Sequence, residues 1–128
     1  MEAKDAGGLL GPLEAEVMAV LWSAGEPLTV RTVLERLNDG RRPPLAYTTV
    51  MTVMSRLADK EMLERRSVGR RYVYEPMAED AAGLAVREVL RDFGELAVAR
   101  FVDEARADPA LRRRLRALTR TKRADQSG

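Results

Sequence analysis

Apolar residues recur at helical spacing along most of this chain. Leu13, Val17, Val20 and Leu21 share one side of a helix opening at Gly11-Pro12, and Met18 and Trp22 widen the stripe. Proline suits the first helical position, Glu14 and Glu16 complement the helix dipole, and Gly25 and Pro27 end the segment. Thr29 is a fitting N-cap for a second helix, with Val30, Val33, Leu34 and Leu37 at i, i+3, i+4 and i+7. Asn38-Asp39-Gly40 stops it, and residues 41–44 make a polar, proline-stiffened loop.

The next stretch, LAYTTVMTVMSRLADKEML, is ambiguous in composition. Five of the six residues from Thr48 to Val53 are β-branched, as in a strand. Periodicity decides against a strand. Alternation puts Thr48, Val50, Thr52 and Met54 on one face and Thr49, Met51 and Val53 on the other, and neither is cleanly apolar. At ~100° per residue, Val50, Val53, Met54 and Leu57 collect on one side, with Thr48, Thr52, Ser55 and Asp59 opposite. Thr49 and Arg56 flank one edge and Met51 the other. The pattern predicts a helix over residues 47–60.

Residues 63–76, LERRSVGRRYVYEP, turn around Gly69 and alternate Tyr72, Val73 and Tyr74, the pattern of a short hairpin closed by Pro76. Helical spacing returns from Glu79, with Leu84, Val86, Val89, Leu90 and Phe93 up to Gly94. It continues through Leu96, Val98, Phe101 and Val102. Asp108-Pro109 opens a last helix carrying Leu111, Leu115 and Leu118. These elements predict a mainly α chain with a small β-hairpin: a tail over 1–8, a winged helix-turn-helix over 9–76, a helical dimerisation region over 77–120, and a disordered tail over 121–128.

Composition narrows the chemistry. The chain has neither cysteine nor histidine, which removes disulfides, thiolate metal sites, thiol nucleophiles and the usual general base. No paired acidic motif stands in their place, so the expectation is a non-enzyme with no metal and no cofactor. Trp22 and the methionines Met18, Met54 and Met62 read as core. No apolar run approaches the ~20 residues that span a bilayer, and the N-terminus lacks a signal-peptide pattern. A soluble cytoplasmic protein without membrane insertion is expected.

The net charge of +2 hides local clusters. Residues 41–71 carry eight basic side chains against Asp59, Glu61 and Glu64, a local +5. A second cluster comprises Arg112, Arg113, Arg114, Arg116, Arg120, Lys122 and Arg123. Threonines cost several tenths of a kcal/mol each relative to alanine inside a helix. Thr48, Thr49, Met51 and Thr52, with Ser55 and Arg56, instead suit close approach to DNA, offering hydroxyls to phosphates and base edges. Capping by Thr48 and Thr49 with a neutral surface Thr52 is the plainer reading of this helix alone. The order helix, short helix, small-polar helix, basic hairpin favours the DNA reading, because it is that of a winged helix-turn-helix. Arg65, Arg66, Arg70 and Arg71 then line a wing over residues 63–75 that can reach phosphates. The alternative is a solvated hairpin whose charges protect an edge strand. Tyr72 and Tyr74 read as hairpin packing, with one hydroxyl able to touch the DNA backbone.

The stretches LGPLEAEVMAVLWSAGEPLTVRTVLERL and LAYTTVMTVMSRLADKEMLERRSVGRRYVYEP resemble the penicillinase-repressor family, the BlaI/MecI-type regulators. The resemblance covers residues 9–118 and weakens after Pro76. It implies a homodimer that represses transcription from a dyad operator, often with TACA/TGTA-type half-sites. It places Thr48, Thr49, Met51 and Thr52 on the recognition helix. Some relatives carry Lys or Arg there, so phosphate anchoring here leans on Arg56, Arg70 and Arg71. In well-known members a membrane-bound sensor protease triggers cleavage at an Asn-Phe bond. Arg100-Phe101 stands at that place, with the Phe kept and the Asn not. Copper-responsive members use a cysteine-rich C-terminal motif, which this chain lacks. A winged-helix adaptor that grips an acidic protein partner is the competing function.

Overall fold

The computed structural model describes residues 9–127, with side chains through Arg120. The N-terminal tail expected over 1–8 lies outside the described residues. Helix α1 (Pro12–Ala24) starts with Pro12 at its first position, and the Glu14 carboxylate accepts the Gly11 N–H at 3.0 Å. Val17, Met18 and Leu21 are its buried face. Gly25 ends the helix with φ +69°. Helix α2 (Val30–Asn38) is capped as expected: Thr29 Oγ1 accepts the Thr32 N–H at 3.2 Å. Thr29→Ala is expected to cost roughly 1 kcal/mol of stability, read as a lower denaturation midpoint at unchanged slope.

The proline loop is tied down by one side chain. Asn38 Oδ1 accepts the Leu45 N–H at 2.7 Å, and its Nδ2 donates to the Leu45 carbonyl at 3.1 Å. This clamp sets where helix α3 (Tyr47–Asp59) begins. Strands β1 (Leu63–Val68) and β2 (Arg71–Pro76) pair antiparallel, from Leu63 opposite Pro76 to Val68 opposite Arg71. Gly69 takes the first turn position with φ +62°, a conformation that side chains with a Cβ resist. Leu28 adds a third rung: its N–H donates to the Tyr74 carbonyl at 3.0 Å and the Tyr74 N–H donates back at 2.8 Å.

These elements enclose one apolar cluster. It joins Val17, Met18 and Leu21 of α1, Val33 and Leu37 of α2, Val50, Met54 and Leu57 of α3, and Leu63 and Tyr74 of the hairpin. Trp22 departs from its expected core place. It is half-buried at the cluster's edge, because its indole N–H needs an acceptor and donates to the Ala78 carbonyl at 2.9 Å. Met18, Met54 and Met62 are buried as expected.

Helix α4 (Ala81–Phe93) begins two residues later than the Glu79 start predicted, because the Asp80 carboxylate takes the Gly83 N–H at 2.8 Å and caps it. Its Ala81 and Leu84 are buried, Leu84 in the same apolar cluster. A Cβ on Gly83 would meet that of Ala78 at 2.9 Å, so this approach requires glycine. The first compact unit ends at Val86 and the second begins at Arg87. The second contains the end of α4, α5 (Glu95–Ala107) and α6 (Pro109–Ser127). Asp108 Oδ1 caps α6 through the N–H groups of Ala110 and Leu111. No Gly or Pro interrupts residues 110–127, and α6 continues to Ser127, past the Arg120 limit read from the sequence. The architecture is a winged helix-turn-helix followed by a helical region.

Candidate nucleic-acid interface

Helix α3 is two-sided in the manner its period predicts. Val50, Met54 and Leu57 are fully buried and Val53 half-buried. Thr48, Thr49, Thr52 and Arg56 are exposed, and Met51 keeps 39% of its surface. Ser55, expected on the open face, is half-buried at its edge and belongs to the rim. Neither Thr48 nor Thr49 caps the helix. Ala46 is the N-cap and makes no side-chain bond there. Both threonines are exposed, beside a helix start whose first N–H groups can face an external anion.

A residue missing from the sequence reading sits beside this start. The Arg31 guanidinium of α2 lies 5.8 Å from the centre of the Tyr47 ring, a cation–π distance. Arg31 is exposed and Tyr47 keeps 43% of its surface. The signal was available in principle: a cation in the first turn opposes the helix dipole and asks for a compensating role.

The hairpin divides its four arginines. Arg65 stacks at 4.7 Å over the ring of Tyr72, and the Tyr74 side chain opposite favours its charged form. Arg66 pairs with Glu75 across the strands at 3.2 Å. Both are exposed yet engaged within the hairpin, a distinction among the four arginines that the sequence did not draw. Arg70 in the turn and Arg71 beside it are exposed, without an ion-pair partner among the described residues. The two tyrosines also part: Tyr74 is buried, whereas Tyr72 keeps 54% of its surface under Arg65.

The rest of the local positive charge is partly neutralised by α1. Lys60 reaches Glu14 at 3.4 Å, and Arg41 pairs with Glu16. Arg42, Arg56, Arg70 and Arg71 remain exposed and unpaired among the described residues. A net count of +5 therefore overstates the cations on offer. Short hydroxyls on a helix and two open arginines on a hairpin tip are groups suited to base edges and phosphates.

Arg100 and Phe101 lie elsewhere, in the middle of α5. Arg100 bonds to Asp103 at 3.1 Å, and Phe101 keeps 46% of its surface. A protease takes its substrate extended, so cleavage at this bond would require α5 to unwind locally first. Among the described residues no cluster of His, Cys, Asp or Glu is arranged to hold a metal, and no helix is long and apolar enough to cross a membrane.

The family model described as Penicillinase repressor matches residues 10–121. The chain belongs to the penicillinase repressor family. It is similar to the transcriptional regulator BlaI of Mycobacterium tuberculosis, strains CDC 1551 and H37Rv. Identity is 44% over 115 residues in each case, covering 83% of this chain and 82% of the relative. As a penicillinase repressor family member it is a winged-helix transcriptional regulator with DNA as partner, and the family's members are repressors, not enzymes. The solved complex of hsRosR-S4 is similar in fold, with TM-score 0.51 and 18% identity over 98% of this chain and 99% of that one.

Proposed function

We infer that two copies of the chain form a homodimeric, sequence-specific repressor. In this reading α3 enters the major groove of a dyad operator and the wing lies along the phosphate backbone. The outward face of α3 carries the inference: Thr48, Thr49, Met51, Thr52 and Arg56 stand open while Val50, Met54 and Leu57 are fully buried behind them. A helix built for solubility alone would place Glu, Lys or Gln on such a face. Arg70 and Arg71 add phosphate contacts that position the helix, and Tyr72 lies next to them at the hairpin tip.

The homodimer is supported by apolar surface left open on one copy. Val89, Leu90 and Phe93 of α4, Leu96, Val98, Phe101 and Val102 of α5, and Leu115 and Leu118 of α6 are all exposed. A second copy related by a two-fold axis would cover such faces and set two recognition helices ~34–36 Å apart, one turn of DNA.

Selection of bound fragments from genomic DNA tests the reading. One dyad site should be preferred by ~10³-fold or more over random duplex. No preferred fragment would overturn the repressor reading and leave an adaptor that binds an acidic partner. Thr52→Ala should change the ranking of operator variants by roughly fivefold to tenfold at one base pair, the lower end of what a single mismatch costs, with affinity for random duplex unchanged. An unaltered ranking would remove α3 from base reading.

A further inference from the structure

Charge in the second unit is segregated. Along α4 and α5 arginines sit beside carboxylates: Arg91 lies near Glu88 and Asp92, and Arg100 near Asp103. From Pro109 to Arg120 there is no acidic residue, while Arg112, Arg113, Arg114, Arg116 and Arg120 contribute +5. At ~100° per residue, Arg112, Arg113, Arg116 and Arg120 fall within an arc of ~100°, and Leu111, Leu115 and Leu118 occupy a separate arc. Arg112 is half-buried and donates to the Arg106 carbonyl at 3.1 Å. Arg113, Arg116 and Arg120 are exposed, without an ion-pair partner among the described residues.

Such a face works against its own helix. Arg112 with Arg116, and Arg116 with Arg120, are like charges at i, i+4, which repel and weaken helicity. A surface serving solubility alone intersperses both signs. An unpaired single-sign row is better matched to an external polyanion. Arg113, Arg116 and Arg120 span ~10 Å of helix at 1.5 Å per residue, and duplex DNA carries one charge per ~1.7 Å of its axis. Each guanidinium can also meet a phosphate through two parallel N–H groups. A membrane-surface helix buries its apolar arc among the lipid headgroups. In α6 that arc carries Leu115 and Leu118, which the second copy of the proposed dimer covers, and Leu111, which is half-buried.

We propose that the arginine face of α6 binds the phosphates of duplex DNA, a second and sequence-independent contact surface in addition to the winged helix. It rests on the reading of this protein as a DNA binder, but not on how α3 reads bases. The test uses the full-length chain and a random duplex, with affinity followed as salt is raised. The variant R113Q/R116Q/R120Q should flatten the slope of log affinity against log salt by about two to three per chain, since each lost phosphate contact removes ~0.9. R113K/R116K/R120K should keep most of the slope. R116E, a single exposed change, should lower it by about one or more and decides the matter if circular dichroism finds the triple variant less helical.

Slopes equal to wild type in R116E and the helical triple variant would overturn the proposal. So would retention of wild type on vesicles of phosphatidylcholine and phosphatidylglycerol with no change in DNA slope, which would assign the face to a membrane surface. Random duplex requires no operator, so a flat result removes this face alone. Absence of any preferred genomic fragment would instead overturn the sequence-specific repressor reading, and a salt slope that still falls in R116E would separately assign the arginine face to DNA.

Discussion

Replacing Arg70 and Arg71 together by alanine is expected to weaken binding to operator and random duplex alike, by about thirtyfold for one chain near 0.15 M salt. The reasoning is counterion release. Each phosphate contact adds ~0.9 to the salt slope and is worth about fivefold at that salt. Two chains would lose four contacts, so a bound dimer should weaken by about a thousandfold. The ratio of operator to random affinity should hold, because phosphate contacts position without reading sequence. The same double change at Arg65 and Arg66 should weaken binding less, since Arg65 is stacked on Tyr72 and Arg66 is paired with Glu75. Salt titrations of the two double variants check the division. Equal losses would show that hairpin pairing does not withhold Arg65 and Arg66 from DNA.

Leu57→Ala should destabilise the first unit by about 2–5 kcal/mol, the range for a leucine removed from a packed core. Leu57 is fully buried on α3, within the cluster that includes Met18, Val33 and Leu63. Domains of this size are stable by only ~5–15 kcal/mol, so the melting temperature should fall by roughly 10–30 °C. Met51→Ala, on the outer side of the same helix, should stay within about 0.5 kcal/mol. Thermal melts of the two variants therefore test the rotation of α3. Were Leu57→Ala to melt with wild type, the inward face would be misplaced and so would the outward one.

Much of the fold was legible because single residues have strong local preferences. Pro12, Thr29, Gly69 and Asp108 mark starts and turns by backbone chemistry that depends little on distant parts of the chain. The β-branched run from Thr48 to Val53 misleads by composition alone, yet its 3.6-residue period separates Val50, Met54 and Leu57 from Thr48 and Thr52. The exposed residues Thr48, Thr49, Thr52 and Arg56 of α3 were placed outward by that period. Ser55 was placed one step too far out, because 100° arithmetic does not include how neighbouring elements shade a rim.

The chain's own periodicity and punctuation determined the elements, their order and the inward faces of α1, α2 and α3, since those follow from contacts within a few residues. Tertiary structure decided which charges remain on offer. Lys60 and Arg41 meet Glu14 and Glu16 from a distant helix, Arg66 meets Glu75 only through strand register, and Arg65 reaches Tyr72 across the hairpin. It also turned Trp22 from a core residue into an edge anchor on Ala78, and set Arg31 over Tyr47. The physical reason is common to all of these. Burial periodicity is a local property, whereas ion pairs and ring contacts depend on which residues the folded chain brings within a few ångströms.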